Sequence, residues 1–138
     1  MDPQLQWRAV LDALPGITFT ASLEGNIEWV CAHWYAVTGT SREEVLGEAW
    51  TRIIHPDDIE MMVWHWTRAI DRGTPFQAAV RVRFADGRYR WLVSSARREA
   101  GLPGGACWVG MAWDLTTIDW SRLGQLDAAA LTPPGSPA

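Results

Sequence analysis

An α+β domain built on a five-stranded sheet is what the sequence predicts, and three observations carry it. The stretch from Phe76 to Glu99 alternates like a long β-hairpin, and three shorter runs alternate in the same way. One substantial helical period, about 15 residues and therefore roughly 22 Å long, separates the first two strands from the last three. Strands and helices segregated in this way belong to the α+β class.

In the hairpin, Phe76, Val80, Val82 and Phe84 alternate with Gln77, Arg81 and Arg83, the period of a half-buried strand. Asp86-Gly87 turns the chain. The return strand carries Tyr89, Trp91 and Val93 on one side and Leu92, Ser94 and Ala96 on the other, so both faces need partners. Two registers fit. A two-residue type I′ turn pairs Val82 with Trp91, whereas a type I turn with Gly87 in the left-handed region puts Val82 on the side of Leu92. Hydrophobicity alone does not choose between them.

A chain of 138 residues, 48% hydrophobic and 20% charged, is sized for one domain with one core. No apolar run approaches a membrane span, and Met1-Asp2-Pro3 lacks the basic start of a signal peptide. A soluble, cytoplasmic chain with no membrane segment is expected. Cys31 and Cys107 are isolated, with no CxxC and no His pair nearby, so small buried hydrophobes are expected rather than zinc or redox chemistry. The net charge of -4 argues against a sequence-independent nucleic-acid binder. Six of the 12 basic residues, all Arg, nevertheless lie in the hairpin, where their stems can cross Trp91 and its apolar neighbours. The 10 Trp imply a densely filled core or a surface meant to be covered.

In chain order, Trp7, Val10, Leu11 and Leu14 form the stripe of a short amphipathic helix over residues 4 to 14, stopped by Pro15-Gly16. Ile17, Phe19 and Ala21 alternate in a first strand, and Leu23-Glu24-Gly25-Asn26 turns into a second from Ile27 to Cys31. Residues 32 to 54 break into small helical pieces, among them a capping box at Ser41-Arg42-Glu43-Glu44. His55-Pro56-Asp57-Asp58 opens the long helix, whose inner stripe is Ile59, Met62, Val63, Trp66 and Ile70. After the hairpin, Gly101 to Gly105 leads to a last strand, Ala106 to Leu115. There Val109, Met111 and Trp113 are large, while Gly110 and Ala112, opposite, are small enough to leave volume above the sheet. Residues 117 to 123 can form a turn or two of helix before a Pro-rich tail.

The pieces taken in this order resemble a PAS domain, of the subgroup closed by a PAC-type motif. The resemblance rests on Leu14-Pro15-Gly16, Leu23-Glu24-Gly25-Asn26, the run from Val37 to Gly47, His55-Pro56-Asp57-Asp58, the run Ala85-Asp86-Gly87-Arg88-Tyr89-Arg90-Trp91, and Asp114-Leu115-Thr116. It divides the chain into an N-terminal helical cap over 1–13, the domain over 14–116, and an exit and tail over 117–138.

The resemblance implies a five-stranded antiparallel sheet with helices on one face, the N-terminal helix lying on the other. It implies a ligand cavity between long helix and sheet, walled by Phe19, Ala21, Trp50, Met62, Trp66, Val80, Val82, Leu92, Ser94, Trp108, Gly110 and Ala112. It favours the register with Val82 beside Leu92, which sets Arg81 and Arg83 beside Trp91 on the outer face for a cation-π contact. Trp7, Val10, Leu11, Tyr89, Trp91, Met111 and Trp113 would form the cap or dimer face, and Asp114 and Thr116 would relay the signal onward.

Several positions depart from the family. Cys31 and Ser22 replace a common Asn and Asp. Trp50 stands where the light-oxygen-voltage branch has its photoreactive cysteine, and Val82 and Leu92 where that branch uses amides, which speaks against flavin photochemistry. Haem-binding members ligate iron from the end of the long helix; here His65 lies about 110° from the stripe centre at 100° per residue, the place of a partly exposed structural His. No cofactor is required by the sequence. Helix capping accounts for Asp57 and Asp58 beside His55, and no G-x-S-x-G, Walker loop or H-E-x-x-H occurs, so no enzyme is expected.

The function expected is therefore a bacterial sensory module, homodimeric and cytoplasmic. It would bind a small apolar or aromatic ligand and report to an output domain such as the histidine kinase of a two-component system. The alternative is a ligand-free dimerisation or protein-interaction module whose cavity is packed by Trp34, Trp50, Trp66 and Trp108.

Overall fold

Helix α1 (Pro3–Ala13) ends at the Leu14-Pro15-Gly16 corner and delivers the chain to β1 (Ile17–Ala21), which turns into β2 (Ile27–Val30). Helix α2 (Ala32–Thr38) and two 3-10 turns, Arg42–Glu44 and Ala49–Ile53, lead to the long helix α3 (Pro56–Arg72). The hairpin β3 (Phe76–Arg83) and β4 (Tyr89–Glu99) follows, and β5 (Cys107–Asp114) closes the sheet. This computed structural model describes residues 3–115; the expected exit helix, the tail and Thr116 lie outside the described residues.

The five strands are antiparallel in the order β2-β1-β5-β4-β3, so the last strand in sequence lies at the centre. The hairpin register follows from its turn. Gly87 adopts φ +81° and its N–H donates to the Phe84 carbonyl at 2.9 Å, while the Asp86 carboxylate accepts from the Arg88 N–H. A left-handed residue after a type I turn adds one position to the loop, and the added position sets the parity. Val80 faces Leu92 and Arg81 faces Trp91. Val82 therefore shares the inner face with Leu92, as the resemblance implied.

Each sheet edge is covered at one point. On β2, Ile27 and Gly47 exchange backbone hydrogen bonds of 3.0 and 2.9 Å. On β3, the Arg81 carbonyl accepts from the His55 N–H at 2.8 Å, and Ile54 bridges Val82. Open edges invite pairing with other chains, and these contacts cover part of each edge.

Helix α3 starts differently from the expectation. His55 is its N-cap, with Nδ1 accepting the Asp57 N–H at 3.1 Å, and Pro56 takes the first turn, where no N–H is required. Asp57 stays exposed in that turn, but Asp58 turns away from the helix end to Arg81. The buried stripe also rotates: Met62, Trp66 and Ala69 face the sheet, with Ile59 and Ile70 at its margin. Val63, expected inside, is 42% exposed, because small Ala69 lets the helix settle on a line through Met62 and Trp66.

The departures at Cys31 and Ser22 keep their local contacts. The Cys31 sulfur accepts from the Thr18 N–H at 3.3 Å while its own N–H reaches the Thr18 carbonyl at 2.9 Å. The Ser22 hydroxyl accepts from the Asn26 N–H at 3.2 Å. Among the described residues no helix is long and apolar enough to cross a membrane.

Candidate ligand cavity

Between α3, α2, the 3-10 turns and the inner face of the sheet lies a cavity of about 70 Å³. Phe19, Trp50, Met62, Trp66, Val80, Val82, Leu92, Ser94 and Ala112, all expected there, wall it. Three expected residues do not. Gly110 points inward, but a Cβ built on it would sit 2.2 Å from Cζ of Phe19, so the Phe19 ring already fills the volume that glycine leaves. Trp108 is fully buried edge-on against Trp66, with centroids 5.2 Å apart, and Ala21 is buried in register with it. These two are packed core rather than lining.

Residues missing from the expected lining are Ile17, Ile27, Val30, Trp34, Val45, Ile54 and Phe76. Ile17 and Phe76 share strand parity with Phe19 and Val80, a signal the sequence carried. Val45 and Ile54 sit in the broken segment, where no period reports orientation. Trp66 is held in place by its indole N–H, which donates to the Gly25 carbonyl at 3.0 Å, and by the edge of Phe76 at 5.1 Å.

The lining contains no Arg, Asp, Glu or His, and Ser94 supplies its one hydroxyl. Neither cysteine reaches it: Cys31 is committed to the β1 backbone, and Cys107 lies on the outer parity of β5, where burial pushes its thiol pKa up. A thiol adduct therefore has no donor here. His65 sits on the exposed side of α3 with its ring against Trp64, away from the cavity. The volume falls far below the roughly 300–1,000 Å³ of drug-sized sites, so neither haem nor flavin fits the interior as packed. Among the described residues no group of three or more potential metal ligands is assembled.

On the other face, α1 covers β1 and part of β5. The Thr18 hydroxyl donates to the Leu11 carbonyl at 3.0 Å, and the Asp12 carboxylate accepts from the Ala32 N–H at 2.7 Å. Trp7, Leu11 and Met111 are half-buried there, while Val10 is exposed. The helix does not reach the β4 side, where Tyr89, Trp91 and Trp113 remain 41%, 45% and 46% exposed. Arg81 stacks over Trp91 at 5.1 Å, but Arg83 faces Tyr89 and makes no such contact with Trp91. Asp114 ends β5 within 3.6 Å of Arg90.

Arg81 also links the two faces. Its Nε and Nη2 donate to the Asp58 carboxylate at 2.9 and 2.8 Å, and its backbone N–H donates to the same group at 2.9 Å. The guanidinium and N–H hold the buried carboxyl of Asp58 below the usual range. A lowered folded pKa stabilises fully above the unfolded value of about 3.9 and less as pH falls through the folded one. Asp58→Asn is therefore expected to lower the melting temperature by several degrees at pH 7, with a difference from the parent that shrinks below about pH 4. Thermal melts across pH check this; a pH-independent difference would refute it.

The sequence matches a family model described as PAS fold over residues 27–100, more than half of the chain. The chain belongs to the PAS family. An uncharacterized protein of Sinorhizobium fredii is 28% identical over 109 residues, which are 78% of this chain but 13% of that protein. The chain thus spans a small part of that relative's length. The N-terminal domain of a Marinobacter aquaeolei diguanylate cyclase with PAS/PAC sensor aligns with a TM-score of 0.62 at 20% identity, over 72% of this chain and 94% of that one. A Rhodobacter sphaeroides LOV protein aligns with a TM-score of 0.71 at 16% identity, over 91% of this chain and 74% of that one. Likeness at these identities concerns the fold alone.

Proposed function

We propose that this chain is the sensory module of a longer bacterial, cytoplasmic signalling protein. It binds a small molecule between α3 and the sheet and passes the change to an output domain such as a histidine kinase. The observation that supports this most is the cavity of about 70 Å³ between Met62 and Trp66 above and Val80, Leu92 and Ala112 below. Well-packed interiors leave few voids larger than a water molecule, so space kept at the centre of the core calls for an occupant. The domain proper is 14–116, with 1–13 as its cap and 117–138 as the link onward. The end of β5 at Asp114, followed by Thr116, is the route by which a shift of the central strand would leave the domain.

Native mass spectrometry of the purified chain is expected to give an excess mass above the 15.4 kDa protein that is lost on collisional activation. Titration with small molecules is expected to change Trp fluorescence, since Trp34, Trp50 and Trp66 all wall the cavity. A bare chain that no small molecule perturbs would remove the sensory reading.

A second reading, dimerisation through the outer face, is favoured by the exposed Tyr89, Trp91 and Trp113 around Val93. Apolar patches of this kind are normally covered. Light scattering at several concentrations tests it, with a monomer at all of them as the adverse result.

A further inference from the structure

The edge of the sheet at β3 is open along part of its length. Arg81 points its N–H and carbonyl away from β4, to the Asp58 carboxylate and the His55 N–H, whereas Phe84 points its N–H across the hairpin to the Arg88 carbonyl. Backbone groups alternate in direction along a strand, so the N–H and carbonyl of Ala79 and of Gln77 point outward as those of Arg81 do. Among the described residues nothing bonds to them there. Unpaired edge groups of this kind are a template for another strand.

Beside this open stretch, between the last turns of α3 and the start of β3, lies a groove of about 230 Å³. His65, Arg68, Arg72, Thr74 and Gln77 supply its polar wall, all of them able to donate hydrogen bonds, and no carboxylate lines it. The Arg98 guanidinium comes to the same end of α3 from β4, 3.5 Å from where a Cβ on Gly73 would stand. Arg68 rests on the ring of Trp64 at 4.8 Å, and among the described residues neither it nor Arg72 or Arg98 has an ion-pair partner. Glu60 and Asp71 lie roughly 110–130° round the helix from the centre of the lining residues, at 100° per residue. The helix dipole accounts for cations at Arg72 and Arg98; Arg68 and His65 lie one and two turns back, beyond its reach.

We propose that an extended acidic segment of a partner protein adds to the open edge of β3 as a further strand, its backbone bonding to Gln77 and Ala79 and its carboxylates meeting Arg68, Arg72 and Arg98. The inference is separate from the cavity and holds whatever binds there. In strand addition the main chain supplies affinity and alternate side chains supply specificity. Every second side chain of the added strand faces α3, so acids at alternate positions reach the groove together. A second copy of this chain is the wrong occupant, because pairing edge to edge would bring another set of arginines to the same place. The net charge of -4 repels acidic chains in general, so the attraction is local to this groove.

The probe is an acetylated, amidated hexapeptide of alternating Glu and Val, titrated into the ¹⁵N-labelled chain at low salt. It is expected to bind, to slow hydrogen exchange of the Gln77 and Ala79 amides, and to weaken as salt is added. The same peptide with Lys for Glu is expected not to bind. N-methylation at alternate residues, made in both phases, separates strand pairing from charge: the phase that blocks the edge facing β3 is expected to lose about tenfold in affinity, the worth of one or two net hydrogen bonds, while the other phase keeps it. Arg68→Glu with Arg72→Glu, both on the surface, is expected to cost about tenfold as well. Ala79→Pro removes an outward N–H that the ladder to β4 does not use, and is expected to weaken binding with little loss of stability. No binding of the Glu peptide, equal binding of the Glu and Lys peptides, equal affinity of the two methylated phases, or bound peptide with unprotected Gln77 and Ala79 amides would each overturn the proposal. Should a variant fail to fold, the four peptides and the amide exchange of the unaltered chain still decide the matter.

Discussion

Trp66→Ala is expected to lower stability by about 3–5 kcal/mol, the range for removing a large aromatic from a core. Three losses combine in it. The ring is buried edge-on between Phe76 and Trp108, at 5.1 and 5.2 Å, so both neighbours lose their contact. The Gly25 carbonyl loses its donor in a turn whose glycine, at φ +95°, lies so close to Ile70 that a Cβ there would come within 2.2 Å of the Ile70 side chain. The vacated space then joins the existing cavity. For a chain of this size a change of that magnitude lowers the melting temperature by roughly 10–20 °C. Trp66→Phe separates the contributions: it keeps most of the ring packing and removes the hydrogen bond, so a cost of about 1–3 kcal/mol is expected. Free indole is expected to restore part of the lost melting temperature of Trp66→Ala, as it fills an enlarged apolar cavity. Equal destabilisation by Ala and Phe would mean that the hydrogen bond, not the packing, holds α3 on the sheet.

The strands were legible because alternation reports which side chains share a face, while the choice of the inward face and of the register that sets Val80 and Val82 beside Leu92 came with the resemblance, since two turns fitted the same alternation. The helix stripe was less exact. A 17-residue helix offers several apolar positions, and which of Val63 and Ala69 is buried depends on the line of contact with the sheet, a tertiary property. Asp58 was misread for a related reason. A carboxylate in the first turn satisfies the rule for helix starts, and nothing local reveals that the edge of β3 will bring Arg81 to it. The segment 39–54 was the least legible: its 3-10 turns have no apolar period, yet they contribute Val45, Trp50 and Ile54 to the cavity. Gly110 was misjudged in role rather than direction, since a small residue signals available volume without saying which neighbour takes it.

That neighbour is Phe19, and the pair gives the second large effect. Gly110 has an ordinary strand backbone, so adding a side chain creates no backbone strain. All of the cost must come from the ring, three of whose carbons would lie 2.2, 2.6 and 2.8 Å from a new Cβ. Phe19 cannot retreat through the sheet and has the cavity beside it. Gly110→Ala is therefore expected to destabilise by about 1–3 kcal/mol through overpacking, and to weaken small-molecule binding as the ring is pushed into the ligand's space. In a Phe19→Ala background the same methyl group enters room that the ring has vacated, and its effect should be near zero or stabilising. Chemical denaturation of both single variants and the double variant measures the coupling, which is expected to be about 1–3 kcal/mol, as found for residues in direct contact. Additive effects would show that Gly110 is required for some reason other than the close approach of Phe19, and the ring would no longer explain why the floor of the cavity stops at Ala112.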